Sequence, residues 1–123
     1  MDKLFEQKLN DLGFKKELEN IYSFVIDEKL FTTGKDWLLF IYFENDNYYL
    51  SNNGDLVENF DAPDIDIMYA LKEIKDIISK FGCYLDVSRI VKIISISNFE
   101  NEIENFISAV NAVDNLYKEI ILG

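Results

Sequence analysis

Apolar residues recur along the chain with two periods, one typical of helices and one typical of strands. Residues 2–12 form the first predicted helix, because Leu4, Phe5, Leu9 and Leu12 share one helical face. Residues 64–81 form the second, with an apolar stripe that ends at a glycine. A third begins at residue 97, where Ser-Asn-Phe-Glu matches a capping box. Its predicted buried stripe comprises Phe99, Ile103, Phe106, Val110, Val113, Tyr117 and Ile120.

Strand-like segments lie between these helices. Residues 21–26 alternate between two faces, whereas residues 37–43 are apolar throughout, as expected of a central strand that is covered on both faces. A polar turn over residues 44–47 joins this strand to residues 48–50 in a hairpin. The other predicted pair consists of residues 85–87 and 90–96.

The order of elements is helix, three strands, helix, two strands, helix. Because strands follow one another in pairs rather than alternating with helices, the order favours an antiparallel sheet over a doubly wound one. We therefore predict an α+β fold in which about five strands, arranged in hairpins, pack against two or three helices. Residues 1–123 contain no repeat, linker or low-complexity tract, and 49% apolar content suffices for one core, which predicts a single domain.

The net charge of the chain limits the classes of partner that it is expected to bind. The chain has 23 Asp and Glu residues against 12 Lys and Arg residues, a formal net charge of −11. Such an excess disfavours direct nucleic-acid binding, since phosphates would be repelled, and favours attraction to a basic protein surface. The N-terminal residues show no signal-peptide pattern, and no apolar run approaches the roughly 20 residues of a membrane span. We expect no membrane partner and a cytoplasmic location, in a bacterium or a phage-infected host cell.

The acidic residues are concentrated in one part of the sequence. Between Lys35 and Lys72, 36 residues include eight Asp and Glu and no Lys or Arg. A negative surface of this kind can imitate nucleic-acid phosphates and occupy a basic groove; the alternative is a solvated face that only keeps the protein soluble. The residues predicted to contact a partner are Glu44, Asp46, Tyr48, Asp55, Glu58, Asp61, Asp64 and Asp66.

Tyr48 is included because exposed tyrosines often anchor interfaces, although cross-strand packing is the commoner role of such residues. The acidic surface would be extended if the loops after the hairpin lay near the start of the last helix. The acids between Lys92 and Lys118, where Lys and Arg are again absent, would then join it: Glu100, Glu102, Glu104 and Asp114. The apolar stripe of that helix could alternatively serve a homodimer.

Candidate catalytic groups are few. There is no histidine, and the lone Cys83 is expected to be a small buried residue rather than a nucleophile. Asp64 followed by Glu73-Ile74-Lys75 has the letters of a metal-dependent nuclease, but Glu73 and Lys75 fall within a predicted helix and face different directions. The run Asn52-Asn53-Gly54-Asp55 lacks the order of a calcium loop. We predict no catalytic residue, no metal ligand and no cofactor.

Several short motifs spread along the chain resemble the motifs of a known protein family. They are the apolar residues 37–43, Tyr49-Leu50-Ser51-Asn52-Asn53-Gly54, Ala70-Leu71, Phe81-Gly82-Cys83-Tyr84 and Phe106-Ile107-Ser108-Ala109-Val110. In this order they resemble a bacterial and phage family, the domain of unknown function numbered 1828. That family carries two aspartates where this chain has Asn52 and Asn53, so a metal role for the pair is not implied here. The resemblance implies a genomic setting of phages and mobile elements.

Together these features predict a small non-enzymatic inhibitor of the anti-CRISPR or anti-restriction type, a nucleic-acid mimic that occludes the basic groove of a defence protein. Alternatively, the protein could be an immunity protein or antitoxin, which would neutralise a bacterial toxin through the same attraction between an acidic and a basic surface. A metal-dependent hydrolase that uses its carboxylates is a third interpretation.

Overall fold

A six-stranded antiparallel sheet forms the framework of the protein, and the computed structural model describes it with its helices over residues 1–123. Along the sheet the strands follow the order β1-β2-β3-β4-β6-β5, and every neighbouring pair is antiparallel. The predicted α+β class is confirmed, with six strands where about five were predicted. The strands are β1 (Lys15–Leu18), β2 (Ile21–Ile26), β3 (Trp37–Glu44), β4 (Asn47–Ser51), β5 (Tyr84–Asp86) and β6 (Arg89–Ile94).

Four α-helices accompany the sheet. They are α1 (Lys3–Asp11), α2 (Asp55–Glu58), α3 (Ile67–Ser79) and α4 (Phe99–Leu122), with a 3-10 turn at Ile96–Asn98 before α4. The helix α2 lies in the connection for which no helix was predicted. None of the helices combines the length and the apolar character that crossing a membrane requires.

The helix termini correct two details of the sequence interpretation. No side-chain hydrogen bond caps α4, and Ser97 Oγ lies 2.8 Å from Ser95 Oγ instead, so the predicted capping box is wrong. In α1 only half of the predicted stripe enters the core: Phe5 and Leu9 are buried, whereas Leu4 and Leu12 are exposed. The stripe of α4 is confirmed, because all of its members are buried or packed against the core.

The helices cover one face of the sheet and leave the other open. Trp37, Leu39 and Ile41 belong to the core cluster that includes the buried residues of the helices. The alternate residues of the same strand, Leu38 and Phe40 among them, lie outside that cluster and are half-buried. The prediction that β3 is covered on both faces is therefore wrong for the single chain. We call the uncovered side the open face.

One carboxylate holds the connection between β2 and β3 against α4. Asp114 is buried and accepts hydrogen bonds from the backbone N–H groups of Phe31 and Thr32, each at 2.8 Å, and from Thr32 Oγ. Nearby, the ring of Trp37 packs against Phe106 of α4, with 6.3 Å between ring centroids. These contacts fix the loop at residues 27–36 to the helical side of the sheet.

The turn between β5 and β6 contains a strained residue. Val87 has φ 59° and is 92% exposed. A β-branched side chain is unfavourable in this left-handed region, whereas glycine adopts it freely. We expect Val87→Gly to raise the free energy of unfolding by about 1 kcal/mol in urea denaturation. Val25→Gly is the control: this residue is also exposed but lies in regular strand, so it should lose stability. A loss at both positions would contradict the strain at Val87.

Candidate functional site

The residues predicted to bind a partner fall into two groups at opposite ends of β4. Glu44 ends β3 and Asp46 lies in the turn before β4, whereas the other acids follow β4 along the chain. The strand spans about 16 Å. The structure therefore does not bring the predicted acids into one cluster. We call the second group, Asp55, Glu58, Asp61, Asp64 and Asp66, the acidic segment.

All five carboxylates of the acidic segment are exposed, and three of them have local hydrogen-bond partners. Asp55 Oδ2 accepts from Asn53 Nδ2 at 3.2 Å, and Glu58 Oε1 accepts from Ser88 Oγ at 3.1 Å. Asp66 caps α3 by accepting from the backbone N–H of Tyr69. The carboxylates of Asp61 and Asp64 have no hydrogen-bond partner in the protein and form no ion pair.

No residue of the acidic segment takes part in an ion pair. The five ion pairs of the protein are Lys8–Glu100, Lys15–Glu17, Lys16–Glu19, Arg89–Asp86 and Lys92–Glu102. Glu44 and Asp46 are also exposed and unpaired. Lys35 lines a small crevice together with Asp55 but forms no ion pair with it. The negative charge of the segment is therefore left for solvent or for a partner.

Buried residues beneath the acidic segment hold it in place. Leu56, Val57 and Phe60 are buried, and the Phe60 ring contacts Tyr117 of α4 edge to face at 5.1 Å between ring centroids. Tyr117 lies in the C-terminal half of α4. The condition for one continuous negative surface, that these loops lie near the start of the last helix, is thus not met, and Asp114 is buried rather than part of such a surface.

Two carboxylates at the start of α4 are already occupied by cations. Glu100 pairs with Lys8 at 2.7 Å, and the half-buried Glu102 pairs with Lys92 at 2.9 Å. Burial raises the pKa of the Glu102 carboxyl, but hydrogen bonds from Lys92 and from the Ser95 backbone N–H outweigh it, so the pKa lies below its ordinary value. The stability that this pair contributes is present at neutral pH and is lost as pH falls through the lowered pKa.

Tyr48 packs within the protein rather than standing free. Its ring contacts Phe5 edge to face at 5.1 Å and Phe43 at 4.7 Å, and its hydroxyl oxygen accepts a hydrogen bond from the backbone N–H of Asp2 at 2.9 Å. The side chain is half-buried. Its contacts tie α1 to the hairpin.

The run from Asn52 to Asp55 ends β4 and fastens it to β6. Asn52 is buried, and its Oδ1 accepts from the backbone N–H of Ile90 at 2.9 Å, so its side chain continues the pairing between the two strands. Gly54 has φ 91°, and a Cβ there would lie 2.7 Å from Ser88 Oγ. The asparagines and the glycine of this run are therefore used for structure, and they position the acidic segment that follows.

The largest pocket is a shallow one of about 520 Å³ on the open face. Its lining includes the rings of Phe40 and Tyr42 and the charged side chains of Glu44, Asp86 and Arg89. Burial raises the pKa of the Tyr42 phenol, which stays protonated at neutral pH. Sequence periodicity did not identify this pocket, because it depends on which face of the sheet the helices leave uncovered.

Groups that could carry chemistry are dispersed. Cys83 is buried as predicted, and burial raises the pKa of its thiol to about 11, which leaves it a poor nucleophile. Glu73 and Lys75 lie in α3, as the sequence indicated. No three Cys, Asp or Glu side chains come together in a group suited to a metal ion.

Comparison with known proteins adds no family to this description. The chain matches no protein-family model, no curated protein and no solved structure. The resemblance to the domain of unknown function numbered 1828 thus stays a prediction from short motifs, and the acidic segment and the open face are the two surfaces from which a function can be argued.

Proposed function

We propose that the protein is a non-enzymatic inhibitor that binds a basic protein surface through the acidic segment. Its target would be a nucleic-acid-binding effector, such as a defence nuclease, in the cytoplasm of a bacterium. Phage or mobile-element origin, as for anti-CRISPR and anti-restriction proteins, accords with the resemblance described above. Inhibition follows from occupancy: the carboxylates take the place that nucleic-acid phosphates would otherwise hold.

A single observation supports this proposal most strongly. Five exposed carboxylates lie within residues 55–66, and none of them has an ion-pair partner within the protein. Repulsion among like charges destabilises a folded protein, so an unpaired group of this kind is best satisfied by an opposing basic surface. The buried Phe60 beneath the segment limits its motion, which lowers the ordering cost of binding.

The proposal is tested with the triple variant Asp61→Asn, Asp64→Asn, Asp66→Asn. Asparagine keeps the shape of each side chain and the capping ability of residue 66 while removing three negative charges. Immobilised wild-type protein should retain a basic nucleic-acid-binding protein from bacterial lysate, and the triple variant should retain at least about tenfold less of it. The control, with the exposed and unpaired residues Asp76, Glu104 and Glu119 changed to amides, loses the same charge and should bind normally.

The retained protein is then purified and tested for inhibition. Added wild-type protein should displace nucleic acid from it in a gel-shift assay, and raising the salt concentration should weaken the complex because the contacts are ionic. Equal binding by the triple variant, or loss of binding in both variants alike, would remove the acidic segment from the mechanism. Recovery of a bacterial toxin as the bound protein would assign the immunity-protein function instead.

A further inference from the structure

The open face has the side chains of a covered surface. Where an antiparallel sheet faces water, its outward positions are usually polar, but here the larger part of them is aliphatic or aromatic, with Ser23, Asn47, Ser51 and a few charged residues between them. Val25 is 55% exposed and Ile93 is 51% exposed, and the rings of Tyr42 and Tyr49 stack on this side with centroids 4.9 Å apart. The apolar and aromatic residues that the strand register places on the open face are Leu18, Ile21, Val25, Leu38, Phe40, Tyr42, Tyr49, Tyr84, Val91 and Ile93, of which Val91 is fully buried.

Charge is sparse on the open face although the chain is strongly acidic. Lys15 Nζ lies 3.9 Å from Glu17 Oε1 near one edge of the sheet, and Arg89 pairs with Asp86 at 2.6 Å near the other. Among the residues placed on this face by the register, these pairs leave Glu44 as the one acid without a cation. A basic partner therefore finds little to attract it here, in contrast to the acidic segment.

We propose that the open face binds a second copy of the chain, which gives a two-fold dimer with the two sheets packed face to face. Apolar side chains then meet apolar side chains, and the charges brought into the interface, apart from Glu44, are already paired within each copy. The acidic segment packs against α4 on the helical side, through Phe60 and Tyr117, so it stays free in the dimer. This inference is independent of the function proposed for that segment.

The edges of the sheet favour association through the face rather than through added strands. At one edge β1 has four exposed residues, two of them lysines, and an irregular register against β2. At the other edge β5 has only three residues. Short, irregular and lysine-bearing edge strands are poor templates for pairing with another chain.

The size of the open face suits a dimer of moderate affinity. Six strands spaced about 4.8 Å apart span about 24 Å, and a typical strand of this sheet is about 18 Å long. The flat area that these two lengths enclose is somewhat more than half of the roughly 800 Å² that each partner buries in a standard interface. Because protruding side chains have more accessible area than their outline, the face lies at the lower end of specific interfaces, and we expect the dimer to dissociate on dilution.

Sedimentation equilibrium over a range of protein concentrations tests the proposal. The wild-type protein should associate reversibly to a dimer. Ile93→Glu should raise the dissociation constant about tenfold or more, because an unpaired carboxylate would enter an apolar interface twice. Val25→Lys is a second variant on the same face, and Met68→Glu, at a 77% exposed position on α3, is the control that should dimerise as wild type does.

The effect of salt concentration distinguishes this dimerisation from binding through the acidic segment. Two copies that each carry a net charge of −11 repel at long range, so added salt should strengthen the dimer, whereas it should weaken a complex with a basic partner. A wild-type protein that stays monomeric at the highest concentration, a dimer that both open-face variants leave intact, or one that Met68→Glu disrupts would each overturn the proposal. Circular dichroism of each variant confirms that it is folded.

Discussion

Replacing Phe60 with alanine is expected to lower the free energy of unfolding by about 3–5 kcal/mol, the largest effect expected of any substitution near the acidic segment. The side chain is fully buried and its ring packs edge to face on Tyr117. Truncation leaves a cavity between α2 and α4 that the short helix cannot close without moving the chain around it. The contacts of Leu56 and Val57 would then be the main apolar anchors left beneath the segment.

Urea denaturation followed by circular dichroism measures this loss, with Phe60→Leu as the control. Leucine keeps most of the buried volume and should cost less than about 1.5 kcal/mol. If partner binding depends on the segment being held in place, Phe60→Ala should also bind more weakly than wild type at a temperature where both are folded. A loss below about 1 kcal/mol for Phe60→Ala would show that the ring does not anchor the segment.

Asp114→Ala is expected to lower the free energy of unfolding by about 2–3 kcal/mol. Hydrogen bonds to a charged group contribute about 1.5–3 kcal/mol each. Three groups donate to the Asp114 carboxylate, and without it they could partly form hydrogen bonds to water instead. Phe31 is exposed and Thr32 is half-buried, so the full sum is not expected.

The matched control is Asp114→Asn, which keeps the size of the side chain and one accepting oxygen. It should lose about half as much stability as Asp114→Ala, and the same denaturation experiment compares the two. Hydrogen exchange at the amides of Phe31 and Thr32 should quicken in both variants. Unchanged exchange there, or equal stability of Asp114→Ala and wild type, would contradict the role of Asp114 as an anchor.

Periodicity predicted most elements of the fold, and the two it missed have a common cause. The strand β1 reads Lys-Lys-Glu-Leu and is exposed along its whole length, so it carries no alternation, and its pairing is decided by the neighbouring β2. The helix α2 has four residues, too few to show a period of 3.6. In both cases the structure comes from tertiary contacts rather than from a local pattern.

The acidic residues were predicted from their spacing, but their arrangement was not. Sequence distance cannot show that β4 separates Glu44 and Asp46 from the acidic segment, or that Glu102 forms an ion pair with Lys92. The apolar run of β3 correctly indicated a strand, but the predicted cover on both faces is wrong, because Leu38 and Phe40 lie outside the core. An apolar run does not show how many faces of its strand the helices of the same chain will cover, and here they cover one.

Trp37 gives the protein a built-in optical reporter. It is the only tryptophan, it is 5% exposed, and from the first position of β3 its ring packs against Phe106 of α4. Its fluorescence emission should shift to longer wavelength when α4 separates from the sheet and water reaches the indole. The same signal therefore distinguishes a variant that has lost its fold from one that has only lost an interaction at the surface, without any added label.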